Sequence, residues 1–113
     1  MSIHIERQGD VAIIVPKGAI DGSGQTNELE TDLRKLVYDD QEKILLDLAN
    51  TPRISSIGIG VLASVHASAT KRNVRLHVCN IDRRIKDVLA IVQLLRILNC
   101  FDTREEALAA FEK

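Results

Sequence analysis

The segment Lys43-Ile-Leu-Leu-Asp-Leu-Ala49 constrains the fold of this chain more than any other. It is a nearly continuous apolar run. A strand reads this way when the sheet around it is covered on both faces, as parallel sheets are. Parallel strands need crossover connections, and the patterns on either side supply them. From about Asn27 to Tyr38, Leu29, Leu33, Leu36 and Val37 follow the i, i+4, i+7, i+8 spacing of one helix face. Asn27 with Glu30 is a candidate cap, in competition with Ser23. A second helical pattern runs from Ser55 or Ser56 to Lys71, with Ile57, Val61, Leu62 and Val65 on one face and Gly58, Gly60, Ala63 and Ala67 among them. Asn73 suits the left-handed residue that ends a helix.

The remaining elements complete an alternating series. Ile3, Ile5 and Val11–Val15 read as two strands joined by the turn-forming Gly9-Asp10, with Pro16 and Gly18 closing the second. Val74, Leu76 and Val78 alternate with Arg75, His77 and Cys79, which predicts another strand. Asp82 caps a helix carrying Ile85, Val88, Leu89 and Val92; Leu95–Leu98 is a short final strand. Thr103-Arg-Glu-Glu106 is a capping box for a last helix with Ala107, Leu108 and Phe111 inside. The order β-β-α-β-α-β-α-β-α predicts an α/β fold: a mixed, mostly parallel sheet with an N-terminal hairpin and about four helices. At 113 residues, one domain spanning 1–113 is expected.

Composition excludes several classes of function. The formal net charge is −1, from 15 basic and 16 acidic residues, so neither nucleic acid nor an anionic membrane is drawn to the chain as a whole. Aromatic residues are 3%, too few for base-stacking platforms. The start, MSIHIERQGD, has no signal-peptide pattern, no apolar run approaches a membrane span, and Cys79 and Cys100 fit no paired motif. A cytoplasmic protein with reduced, buried thiols is expected. The mixed surface charge leaves the oligomeric state open. His4, His66 and His77 fall in three different elements, away from any nucleophile elbow, and no cluster has metal-ligand spacing. Neither a metal nor a cofactor is expected.

Two glycine-rich stretches follow strands. Gly22-Ser-Gly24 lacks the Gly-Lys-Ser/Thr ending of a phosphate loop. Gly58-Ile-Gly-Val-Leu-Ala63 matches G-x-G-x-x-A formally, but Asn50–Ser56 separates it from its strand, and close helix packing is the simpler reading of its glycines. A small nucleotide-binding protein stays open as an alternative, and it predicts nucleotide affinity lost on substitution of Gly22 or Gly58. There remains Arg53-Ile-Ser-Ser-Ile-Gly-Ile-Gly60, with two serines where a helix begins. A serine there is at least an N-cap.

The run from Ile44 to Leu62 resembles the central motif of STAS domains of the anti-sigma factor antagonist type, in which a hydrophobic strand and a loop lead to Asp-Ser-Ser/Ala-Gly-Leu-Gly at a helix start. Gly18-Ala-Ile-Asp21 is similar to that family's Gly-x-Leu-Asp. Leu76–Asn80, Val88–Leu95 and Phe101–Leu108 resemble its fourth strand, third helix and closing helix. The resemblance implies a non-enzymatic partner switch. Unphosphorylated protein would bind an anti-sigma factor that is also a serine kinase, phosphorylation would end the interaction, and a serine phosphatase would reverse it. By position the phosphoacceptor is Ser56. Ser55 then stands where the family has aspartate, and Ile57 where it has a small residue. The partner surface implied is Asp21, Gly22, Ser23, Arg53, Ser55, Ile57, Gly58 and Ile59. Asp21 is equally readable as a turn residue, and Arg53 as a phosphate or partner contact or as a solvated loop arginine, the commoner case. The two departures leave a second reading, a constitutive STAS scaffold within a transporter or signalling assembly.

Overall fold

The computed structural model describes residues 3–39 and 41–112. Strands β1 (Ile3–Gln8) and β2 (Val11–Pro16) form an antiparallel hairpin. Gly9 at φ +60° supplies the conformation that a two-residue hairpin turn demands. There follow α1 (Gly24–Tyr38), β3 (Lys43–Asp47), α2 (Ser56–Lys71), β4 (Arg75–Cys79), α3 (Arg83–Ile91), a 3-10 turn (Leu94–Arg96), β5 (Asn99–Phe101) and α4 (Arg104–Ala110). The five strands lie in sequence order, parallel from β2 to β5.

Sequential order with crossovers of one hand places the three connecting helices on one face of the sheet. Leu29, Leu33 and Val37 of α1, Val61, Leu62, Val65 and Ala69 of α2, and Ile85 and Leu89 of α3 pack there on Ile14, Ile44, Leu46, Leu76 and Val78. The alternate residues Val11, Ile13, Val15, Leu45 and Cys79 face the other side, where α4 lays Ala107 and Phe111. The apolar run of β3 is thus covered on both faces, as its sequence requires. On the α4 side His77 is buried, stacked on Phe111 with ring centroids 3.7 Å apart, and its Nδ1 lies 2.9 Å from the Ala107 carbonyl. Burial and the Asp47 charge push the Cys79 thiol up to about 12, so it stays protonated.

Several boundaries differ from the sequence reading. Helix α1 begins at Gly24, three residues before Asn27, because Ser23 holds the extended conformation of an N-cap although its hydroxyl makes no capping bond. Strand β3 ends at Asp47, not Ala49. The final strand is Asn99–Phe101 rather than Leu95–Leu98. The N–H groups of Ile97 (3.0 Å) and Leu98 (2.9 Å) both return to the Leu94 carbonyl and close a helical turn, and Ile97 is exposed while Leu95, two residues earlier, is half-buried, which breaks the alternation of a strand. Val92 and Ile57, which share the helical spacing of buried residues, are exposed. Asn73, at φ +59°, ends α2 as expected, and the Val74 N–H returns to the Ala69 carbonyl at 2.8 Å.

Candidate functional site

Past the ends of β2 and β3 the two chains do not separate. Gly18 N–H donates to the Asn50 carbonyl (2.9 Å), Ile20 N–H to that of Arg53 (3.1 Å), and Ser55 N–H to that of Ile20 (2.9 Å). Ile20 and Ile54 form a parallel bridge. The loop after β2 and the loop before α2 are therefore stitched into one extension of the sheet. Neither loop shows this in its sequence beyond the isolated apolar residues Ile20 and Ile54.

This stitching sets the start of α2. Ser55 is its N-cap, with extended backbone, and its hydroxyl accepts from Gly58 N–H at 3.5 Å while its carbonyl takes Ile59 N–H at 2.9 Å. Ser56 is the first helical residue, and its side chain is exposed. The amides of a helix's first residues have no intrahelical partner, and the macrodipole makes this end positive. Gly58 lies against Ile20: a methyl there would meet the Ile20 carbonyl oxygen first, then Ile54 Cγ1 at 2.5 Å and Ile20 Cγ2 at 2.8 Å. Gly60 has open space around its Cα. Of the two glycines read as packing residues, Gly58 alone is one. Ile59 is half-buried against the core, whereas Ser56 and Ile57 are exposed.

The loop after Ile20 is equally well held. Thr26, buried in the first turn of α1, accepts the N–H groups of Asp21 (3.1 Å) and Gly22 (2.9 Å) on its hydroxyl. The sequence reading missed it, although Ser23-x-x-Thr26 has the spacing of a capping pair. The Asp21 carboxylate accepts Ser23 N–H at 3.1 Å, an Asx turn. That bond, the Ser23 hydroxyl and the Arg53 charge together hold the carboxyl below the usual aspartate range. Gly22 has φ +95°, and Ile57 lies across it: a Cβ on Gly22 would come within 2.8 Å of Ile57 Cδ1. Asp21, Gly22, Ser23, Arg53, Ser55, Ser56 and Ile57 thus fall in one neighbourhood, with Asp21, Ser23, Arg53, Ser56 and Ile57 exposed.

Behind it lies a cluster that sequence reasoning did not find. Asp47, buried at the end of β3, accepts the Ala49 N–H (3.0 Å), Asn80 Nδ2 (3.1 Å) and Arg104 Nε (2.9 Å). Arg104 also reaches Glu6 on β1 at 2.6 Å, and this bond, ahead of the one from His4, holds the Glu6 carboxyl below its ordinary value. Asp47 fixes the first residues of the loop that leads to Ser55, and Arg104 ties that loop to α4 and the hairpin. Thr51, in the same loop, is buried with a hydroxyl that has no partner among the described residues.

The architecture and the surface together define a class: a single α/β domain whose crossover helices share one face and whose exposed serine opens the second of them. The chain belongs to the STAS domain family, whose model matches residues 2–107. It is 26% identical over 112 residues to BtrV of Bordetella bronchiseptica, a protein named as an anti-sigma factor antagonist, covering 99% of this chain and 96% of that one. Its fold matches a Thermotoga maritima structure described as an anti-sigma factor antagonist with a TM-score of 0.90 at 20% identity, covering 98% of this chain and 95% of that one. It matches the phosphorylated form of the Bacillus cell fate determinant SpoIIAA with a TM-score of 0.77 at 15% identity, covering 97% and 99%. Among the described residues, no helix is long and apolar enough to cross a membrane.

Proposed function

We propose that this chain is an anti-sigma factor antagonist that works by partner switching at Ser56. In the unphosphorylated state the surface of Asp21, Gly22, Ser23, Arg53, Ser55 and Ile57 binds an anti-sigma factor that is also a serine kinase. The Ser56 hydroxyl attacks the γ-phosphorus of the kinase's ATP, ADP leaves, and the hydroxyl proton passes to a base of the kinase. The phosphoserine brings about −1.5 to −2 charges to a surface that had met the partner with a neutral hydroxyl. The free amides of the helix start stabilise that charge within the protein, while an interface must desolvate it. A serine phosphatase restores the first state. Nothing in this cycle asks catalysis of the chain itself.

The observation that carries the reading is the exposed Ser56 side chain at the first position of α2, on a backbone that Ile20, Ser55 and Gly58 hold in place. The names of BtrV and SpoIIAA support the assignment of partner and modification. The test is complex formation with the kinase in the presence of ATP. Wild type is expected to be released, Ser56→Ala to stay bound, and Ser56→Asp to bind poorly from the outset. If all three bind and release alike, the switch is wrong. Tight binding that ignores phosphorylation is instead the behaviour of a constitutive scaffold, which the replacement of the family's aspartate by Ser55 favours.

A further inference from the structure

Ile57 is 59% exposed, beside the switch serine. Helices α1 and α3 run back against the strands, so Tyr38, Ile91, Val92 and Ile97 lie at the opposite end of the sheet, and Ile5 lies on β1. Among the described residues, Ile57 is thus the one large apolar side chain exposed at this end. It is also held. A β-branched side chain in a helix has one strongly preferred χ1 rotamer, and one flank of Ile57 rests on the bare Cα of Gly22, where any side chain would collide with it. The Gly22 amide is in turn bound to the buried Thr26 hydroxyl. An apolar group fixed in this way loses little freedom on burial in a partner, which is the character of an interface anchor.

Resting on the partner-switching reading above, we infer that Ile57 is the specificity-determining anchor of this face, and that the partner is an anti-sigma factor whose surface carries an apolar socket for it. The rim around Ile57 favours such an occupant. Asp21 and Arg53 carry opposite charges that act on each other, and Ser56 is neutral, so the unmodified rim presents no net charge for an ionic partner to seek. Phosphorylation makes the rim strongly anionic at the residue next to the anchor. The partner's socket must then bury Ile57 beside a desolvated dianion, and the two events exclude each other. An anti-sigma factor without such a socket cannot seat the sec-butyl group, so Ile57 also sets which partner the chain takes.

The experiment titrates the full chain against each purified anti-sigma factor of the source organism, using wild type, Ile57→Val, Ile57→Ala and Ile57→Ser. Thermal melts control for folding, which truncation of an exposed residue leaves nearly unchanged. The expected result is one cognate partner whose affinity falls roughly tenfold or more with Ile57→Ala and Ile57→Ser, falls little with Ile57→Val, and does so equally at low and high salt. A cognate partner that binds Ile57→Ala as tightly as wild type overturns the anchor and leaves the Ser56 switch standing. A wild-type chain that binds none of the anti-sigma factors overturns the partner-switching reading itself, and the anchor falls with it.

Discussion

Gly58 and Gly60 are two residues apart in one helix, yet the structure gives their replacement by alanine opposite signs. At Gly58 the new methyl would collide with the carbonyl oxygen of Ile20, a backbone atom held by the Ser55 N–H, and with the side chains of Ile20 and Ile54. The side chains can turn aside; the carbonyl moves only if the stitched loops move. Overpacking of this kind costs about 1–3 kcal/mol. The helix propensity of alanine over glycine returns at most about 1 kcal/mol, and less in a first turn. The net loss is about 1–2 kcal/mol, or roughly 4–8 °C in Tm for a chain of this size. At Gly60 nothing lies within 4 Å of the added atom, so the propensity gain stands alone, and Tm should rise by about 2–4 °C. Thermal unfolding followed by circular dichroism measures both. Equal shifts in the same direction would refute the close approach of α2 to Ile20. Because the displaced carbonyl belongs to the residue before Asp21, Gly58→Ala should also weaken partner binding while Gly60→Ala leaves it intact.

Other outcomes follow from the buried polar groups. Arg104→Ala strands the Asp47 carboxylate in the interior and should lower stability by about 3 kcal/mol in chemical denaturation; a loss below about 1 kcal/mol would mean that the ion cluster is ornamental. Thr51→Val replaces a hydroxyl that has no partner among the described residues with a methyl and should raise stability by about 1 kcal/mol, and a destabilised variant would show that the hydroxyl has a partner after all. Burial, with the Arg75 charge adding to it, holds the His77 imidazole below its ordinary 6.5, against the pull of the Ala107 carbonyl. The unfolded chain therefore binds the proton more readily, and stability is complete above pH 6.5 and declines as pH falls through that value toward the folded-state pKa. Denaturation midpoints across this range should show that decline in wild type and lose it in His77→Gln, well before Glu6 and the other stabilised carboxylates titrate.

The order and type of the elements were legible because each carries a local signal: alternation in β4, the doubly buried run of β3, the i, i+4 rows of α1 and α2. Where the local signal misled, a non-local neighbour decided. Ile57 has the spacing of a core residue, but the first turn of α2 overhangs the sheet and turns Gly58, not Ile57, toward Ile20. Leu95–Leu98 is apolar enough for a strand, yet the Ile97 and Leu98 N–H groups return to the Leu94 carbonyl and close a helical turn instead. In the site, Ser55, Ser56 and Gly58 could be read from Ser-Ser-x-Gly at a helix start. Asp47 and Arg104 could not, since 57 residues separate them, and Glu6 stands 98 from Arg104. A lone aspartate ending a strand and a lone arginine opening a helix look like ordinary surface charges until the sheet brings them together.

The backbone bonds between Gly18–Ile20 and Asn50–Ser55 have a consequence for how the chain is made. Neither loop has a regular structure to adopt alone. Their pairing requires β2 and β3 to be in register already, with α1 folded between them. A nascent or partly unfolded molecule therefore displays Ser56 without the surface beside it. On the proposed switch, competence to bind would arrive with completion of the sheet, and damaged or unfinished copies would stay out of the competition for the partner.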